Sequence, residues 1–247
     1  MNLVELVPRD LEALKTEAHH ILNECKAING INIPDVLRLP NRSHTSAELL
    51  LSHGVQAIPH IRAMDRPEEE TIAIIERLIQ KGLNSVLIVA GDKPNQIGFN
   101  TYPITPIMVV EKLKIQFPEL RIYCGLDPYR DSFKKELEYC RMKLHAGADG
   151  FFTQPFFDKD LARIYLEQFS DTPLFVGISP VLTEQSYNYW VTKNNAIFPS
   201  SFALDLDTNF RIGKEIIETA KKFNQNTYLM PIKMDAFEYV KGIFNSV

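Results

Sequence analysis

The sequence predicts a (β/α)8 TIM barrel built as a single domain over residues 1–247. Three observations lead there. Short apolar runs alternate with longer amphipathic segments eight times along the chain. The apolar runs are continuous rather than alternating, which suits parallel strands covered by helices. No composition break, linker or low-complexity segment divides the 247 residues, a length common for one such barrel. An open doubly wound sheet is the alternative, because periodicity does not show closure. Its usual fingerprints are missing: no G-x-G-x-x-G follows the first run, and no G-x-x-x-x-G-K-[ST] occurs.

The elements follow in order. The first strand is expected over Leu3–Val7. Asp10 then opens a helix through Cys25, with Leu11, Leu14, Ala18 and Leu22 as its apolar positions. INGINIP is the second strand, and a helix is expected near Thr45–Ser52. QAIPHIRA is the third strand. PEEETIAIIERLIQKGL is the clearest helix: Pro67 suits its first turn, three glutamates favour its positive N-terminal end, and Gly82 suits its stop. SVLIVAG is the fourth strand, followed by a Gly/Asn/Pro-rich loop and a helix from about Thr105 to Phe117. RIYCGLD, GFFTQPF and PLFVGISPV are the fifth to seventh strands. Their helices are SFKKELEYCRMKLHAG, DKDLARIYLEQF and TEQSYNYWVTKN. Ala196–Thr208 reads as an irregular excursion before the helix NFRIGKEIIETAKKF. TYLMPIK is the eighth strand, and DAFEYVKGIF is the last helix.

Composition excludes several function classes. A net charge of −4 offers no concentrated basic face for nucleic acid. Cys25, Cys124 and Cys140 lie far apart without a C-x-x-C pair, so neither a zinc site nor a redox dithiol is supported, and buried thiols are expected. No metal site is expected. MNLVELVPRD lacks a secretory pattern, and no run of ~18 apolar residues spans a membrane. A cytoplasmic protein is expected, and a homo-oligomer is left open.

In a barrel the working face lies at the C-terminal ends of the strands. There the chain carries Glu5, Asn32, Asp35, His60, Asp92, Asp127, Gln154, Ser179 and Lys233. Polar groups at the ends of apolar strands cost free energy unless paired or used. Each also has a plainer reading. Glu5 can be an internal ion-pair partner, Asp92 can cap a turn, and His60 can be a satisfied core histidine. Gln154 stands between two Phe-Phe pairs, where an amide needs partners. Trp190 is by default a core residue.

At these strand ends the chain resembles the methylenetetrahydrofolate reductase family. VELVPRD, AIPHIRA, SVLIVAGDKP, HAGADGFFTQPFFD and PLFVGISPV match its segments in order over nearly the whole length. The resemblance implies a flavin-dependent oxidoreductase acting on 5,10-methylenetetrahydrofolate. It would bind FAD, use NADH or NADPH as electron donor, and bind a tetrahydrofolate-type substrate. Glu5 falls on the family's catalytic glutamate, a general acid at the one-carbon bridge. Asp92 falls beside the flavin and pterin, and Gln154 on a pterin-binding glutamine. Trp190 falls on an aromatic that stacks on folate or nicotinamide. His60, Tyr102 and Lys143 match FAD contacts, as does Glu136 with glutamate for aspartate. Lys233 stands for an arginine of the substrate site. Asn32 replaces a threonine, Arg130 a cofactor-site histidine, and Ala90 an arginine before the Gly-Asp turn. Arg130 and Lys143 are the cations expected along a flavin diphosphate. Two rivals stand beside this reading. One is a folate- or pterin-dependent barrel without FAD, of methyltransferase type or a flavin-free reductase. The other is a non-catalytic subunit of a one-carbon complex.

Overall fold

The computed structural model describes residues 1–91 and 100–244. Its strands are short, as expected for β-branched and aromatic runs crossing a barrel wall once. They are β1 (Asn2–Glu5), β2 (Gly30–Ile33), β3 (Ala57–Arg62), β4 (Ser85–Val89), β5 (Arg121–Leu126), β6 (Gly150–Pro155), β7 (Leu174–Ile178) and β8 (Asn226–Leu229). Each pairs in parallel with the next, and β8 returns to β1, so the barrel is closed and the open sheet is excluded. A hydrogen bond from Thr227 Oγ1 to Asn2 Oδ1 at 2.7 Å joins the closing pair.

Helices cover the outside: α1 (Leu11–Glu24), α2 (Ser43–Ser52), α3 (Glu68–Ile79), α4 (Pro106–Gln116), α5 (Phe133–His145), α6 (Lys159–Gln168), α7 (Glu184–Asn194), α8 (Leu206–Lys222) and α9 (Ala236–Phe244). Their starts follow capping chemistry. Asp10, Thr105, Ser132, Asp158, Thr183 and Asp205 each accept an N–H of the first turn. Pro67 stands one residue ahead of α3, and Gly82 turns the chain beyond its end at φ +94°. Asp205 also moves the start of α8 to Leu206, inside the stretch expected to be irregular: its carboxylate takes the Thr208 N–H at 2.7 Å. β8 stops at Leu229, and Lys233 adopts a left-handed conformation in the turn that follows.

Strand alternation splits the core in two. Val4, Ile31, Ile61, Ile88, Phe151 and Val176 face the helices. Leu3, Ile58, Leu87, Tyr123, Phe152, Phe175, Tyr228 and Met230 fill the lumen. Phe152 stacks on Phe175 at 4.2 Å between ring centroids, and Tyr123 meets both edge-on at 5.4 and 5.2 Å. These rings fill the lumen, as in a packed barrel core rather than a pore. Cys25, Cys124 and Cys140 are buried free thiols, as expected. Among the described residues no helix is long and apolar enough to cross a membrane.

Candidate active site

Above the lumen core, four polar side chains from adjacent strands meet. Glu5 ends β1 and receives a hydrogen bond from the Tyr228 hydroxyl on β8. Asn32 on β2 lies 2.8 Å from His60 Nε2 on β3. The Asn32 amide donates to that ring nitrogen when the histidine is neutral with its proton on Nδ1. Asn32 also favours the ionised form of the Tyr228 hydroxyl, so the four form one cluster across the barrel. Burial pushes the Glu5 carboxyl up to about 7, and the Tyr228 hydrogen bond acts against that rise. Burial lowers His60 to about 4, against the pull of Asp35, which keeps the ring neutral at pH 7. A carboxyl that ionises near neutrality is suited to deliver a proton. Asn32 and His60, expected as flavin contacts, lie in the same polar array as Glu5. Tyr228 was not singled out in the sequence, where TYLMPIK reads as an ordinary apolar strand.

Gln154 was expected as a buried amide, and here the structure differs. It shares the inward row of β6 with Phe152, but it is exposed at the mouth. The β6–β7 register shifts between Phe152 and Pro155, a bulge at Thr153 and Gln154. Thr153 Oγ1 takes the Gly177 N–H at 2.8 Å in place of a strand partner. A Cβ at Gly177 would stand 2.7 Å from both Met230 and the Thr153 carbonyl, so only glycine permits this approach. The bulge coincides with an exposed Gln154 side chain at the mouth.

The rim at β2 and β3 is a closed ionic network. Arg42 Nε and Nη2 donate to the two Asp35 oxygens at 2.7 and 2.6 Å, and Nη2 also reaches Asp65 at 2.6 Å. Arg62 Nε donates to both Asp65 oxygens at 3.0 Å. Burial raises the Asp35 carboxyl, but the Arg42 hydrogen bonds more than reverse this, so it stays ionised. Asp127 accepts the Tyr129 N–H at 3.0 Å, a turn-stabilising use.

Other expected site residues lie elsewhere. Trp190 is only 5% exposed, packed edge-on against Phe157 at 5.5 Å. Phe198, Phe202 and Leu204 of the 195–205 excursion close over this cluster. Where ligand stacking was expected of Trp190, the structure covers its ring faces with protein. Lys233 is exposed four residues beyond β8, and its Nζ donates to Gln185 Oε1 on α7 at 3.2 Å. Tyr102 is half-buried, and its N–H donates to the Met64 carbonyl at 2.8 Å. Asp92 lies outside the described residues.

The cations expected to hold a flavin diphosphate do not form a cradle. Lys143 is 2% exposed. Its ammonium donates to the Gly125 carbonyl at 2.6 Å and sits 3.9 Å from the Tyr139 ring centroid. Glu136 is equally buried, ion-paired with Arg130, and takes the Asp127 N–H at 3.0 Å. The three side chains are satisfied by protein between β5 and α5, and Ala90 adds no charge. As arranged they do not fit the diphosphate, and no chemical step is derived through FAD. They act as a structural group instead. Arg130→Ala is expected to cost about 1–3 kcal/mol of stability, because it strands the buried Glu136 carboxylate while Arg130 itself is half-exposed. Chemical denaturation would measure this, and an unchanged midpoint would remove the structural role.

A closed parallel barrel with a polar array at its C-terminal face defines a (β/α)8 protein with its candidate site in the mouth. A family model for methylenetetrahydrofolate reductase matches residues 38–216, most of the chain. The chain belongs to that family. It is 22% identical over 188 residues to a probable methylenetetrahydrofolate reductase (NADPH) of Caenorhabditis elegans, covering 72% of this chain and 28% of that protein. It is 22% identical over 166 residues to a 5,10-methylenetetrahydrofolate reductase of Pectobacterium carotovorum subsp. carotovorum, covering 65% of this chain and 56% of that one. The matched region thus spans less than two thirds of either relative. Among solved structures, an uncharacterised Clostridium thermocellum protein that binds two copies of 5-methyl-5,6,7,8-tetrahydrofolic acid superposes with a TM-score of 0.66. The identity is 12%, covering 98% of this chain and 93% of that one. A 2,3-dimethylmalate lyase superposes with a TM-score of 0.60 at 11% identity, over 94% of this chain and 75% of that one. At these identities the two structures bear on the fold alone.

Proposed function

We propose that this protein is an oxidoreductase that reduces 5,10-methylenetetrahydrofolate to 5-methyltetrahydrofolate, with Glu5 as the proton donor. The observation that carries this reading is the Glu5 carboxyl at the barrel mouth, raised by burial to about 7. Family membership supports the substrate class.

The chemistry balances with one proton and one hydride. Glu5 gives its proton to N10 as the N10–methylene bond opens, leaving an iminium at N5. A reduced nicotinamide or other electron donor, when bound, would supply the hydride that turns the methylene carbon into a methyl group. In this reading the exposed Gln154 amide donates and accepts along the pterin edge. His60, held neutral, adds no positive charge opposing the iminium. Glu5 then regains a proton through the mouth.

The test is anaerobic incubation of the purified protein with 5,10-methylenetetrahydrofolate and NADH or NADPH, with and without FAD. Formation of 5-methyltetrahydrofolate supports the reading. Folate binding without turnover under every condition reduces it to a folate-binding barrel, and absence of binding overturns it. Within the same assay, Gln154→Ala is expected to weaken folate binding roughly ten- to a hundred-fold, the worth of about 1–3 kcal/mol of hydrogen bonding. Its melting temperature should stay unchanged, because the side chain is exposed. Unaltered affinity would take Gln154 out of the site.

A further inference from the structure

We infer that Tyr228 is a positioning residue that orients the Glu5 carboxyl and sets its acidity, within a polar cluster that also holds Asn32 and His60. The inference deepens the proposed function and rests on Glu5 as its acid. The cluster spans four neighbouring strands, β8, β1, β2 and β3. The Tyr228 hydroxyl donates to Glu5 Oε2. Asn32 is fully buried, lies 2.8 Å from His60 Nε2 and favours the ionised form of the Tyr228 hydroxyl. Its Oδ1 is buried without a hydrogen-bond partner among the described residues, as fits an amide that turns its N–H groups toward the cluster.

Polarity gives the cluster its effect. Asn32 favours the ionised form of the phenol, and such a neighbour makes the phenol O–H a stronger donor. That donor is aimed at the carboxylate form of Glu5, which it stabilises against the burial that disfavours it. Tyr228 keeps its own proton, because burial and the adjacent Glu5 raise it well above the ordinary tyrosine value. The titratable groups facing Glu5 within this array are Tyr228 from β8 and His60 from β3. Gln154 on β6 carries no charge, and Asp92 beyond β4 lies outside the described residues.

The test titrates Glu5 directly in the full chain by infrared spectroscopy of its carboxyl stretch, with Glu5→Gln identifying the band. Tyr228→Phe is expected to move the midpoint upward by about one pH unit. Replacing Tyr228 with 3-fluorotyrosine, which keeps ring and hydroxyl but strengthens the donor, is expected to move it downward. Where turnover is measurable, its alkaline limb should shift in the same directions, which a purely structural role for Tyr228 would not produce. Midpoints unmoved in either direction overturn the inference. The fluorinated protein decides alone if the Phe variant does not fold. Opposite shifts in a protein that turns over no folate uphold the inference and sink the reductase reading, so the two failures are separable.

Discussion

Glu5→Gln is expected to lower turnover about 10²–10⁴-fold, the usual worth of a positioned general acid, while leaving the barrel folded. The amide matches the carboxyl in shape and can still accept from Tyr228, but it has no acidic proton to give. The same substitution has a signature in stability. Glu5 ionises near 4.5 as an ordinary carboxyl and at about 7 in the barrel. Between these values the folded protein holds a proton that the unfolded chain has released, so stability falls as pH rises across this window. The contribution of the neutral carboxyl is complete below about pH 4.5 and lost above about pH 7. Glu5→Gln has no such slope. Its melting temperature should gain on the parent's as pH rises from 5 to 8, roughly the span of the shift. Parallel melting curves across that range would show that the carboxyl is not held neutral, and near-normal turnover would remove Glu5 from catalysis.

Trp190→Ala should instead act on the fold. Its indole lies in a sealed aromatic cluster, so truncation leaves a cavity that Phe157 and the 195–205 excursion cannot fill. The expected cost is about 3–5 kcal/mol, which lowers the melting temperature of a protein of this size by about 10 °C. Folate affinity of the folded fraction should be unchanged. Thermal melts and folate titrations on the same samples separate the two roles. An unchanged melting temperature with weakened folate binding would return Trp190 to the site.

Much of this was legible in the sequence, and the misses have physical causes. Strand and helix order follow from apolar runs and amphipathic spacing, and the caps at Asp10, Thr105 and Asp158 are local chemistry. Closure was not legible, because β1–β8 pairing is a contact between the two ends of the alternation. Glu5 could be found because a charged residue interrupts an apolar strand. Tyr228 could not, because an inward tyrosine looks like any other aromatic until its strand is set beside β1. Lys143 was expected along a flavin diphosphate because the resemblance sets it on a FAD contact; that its ammonium turns inward to the Gly125 carbonyl is a tertiary contact that leaves no mark in spacing. Gln154 was taken as buried because a bulge that re-aims a side chain leaves no mark in hydrophobicity.

The pairing of β8 with β1 also carries a kinetic meaning. Glu5 and Tyr228 are separated by 223 residues, so the acid acquires its partner only when the ends of the barrel meet. Loop-closure entropy grows slowly with length, yet contacts this remote form late and slow folding. During synthesis, β1 through β7 emerge while Glu5 still lacks the hydroxyl that orients it. A nascent barrel missing its final strand would hold an exposed sheet edge and an untuned carboxyl together, so completion of the fold and maturation of the site coincide in one event.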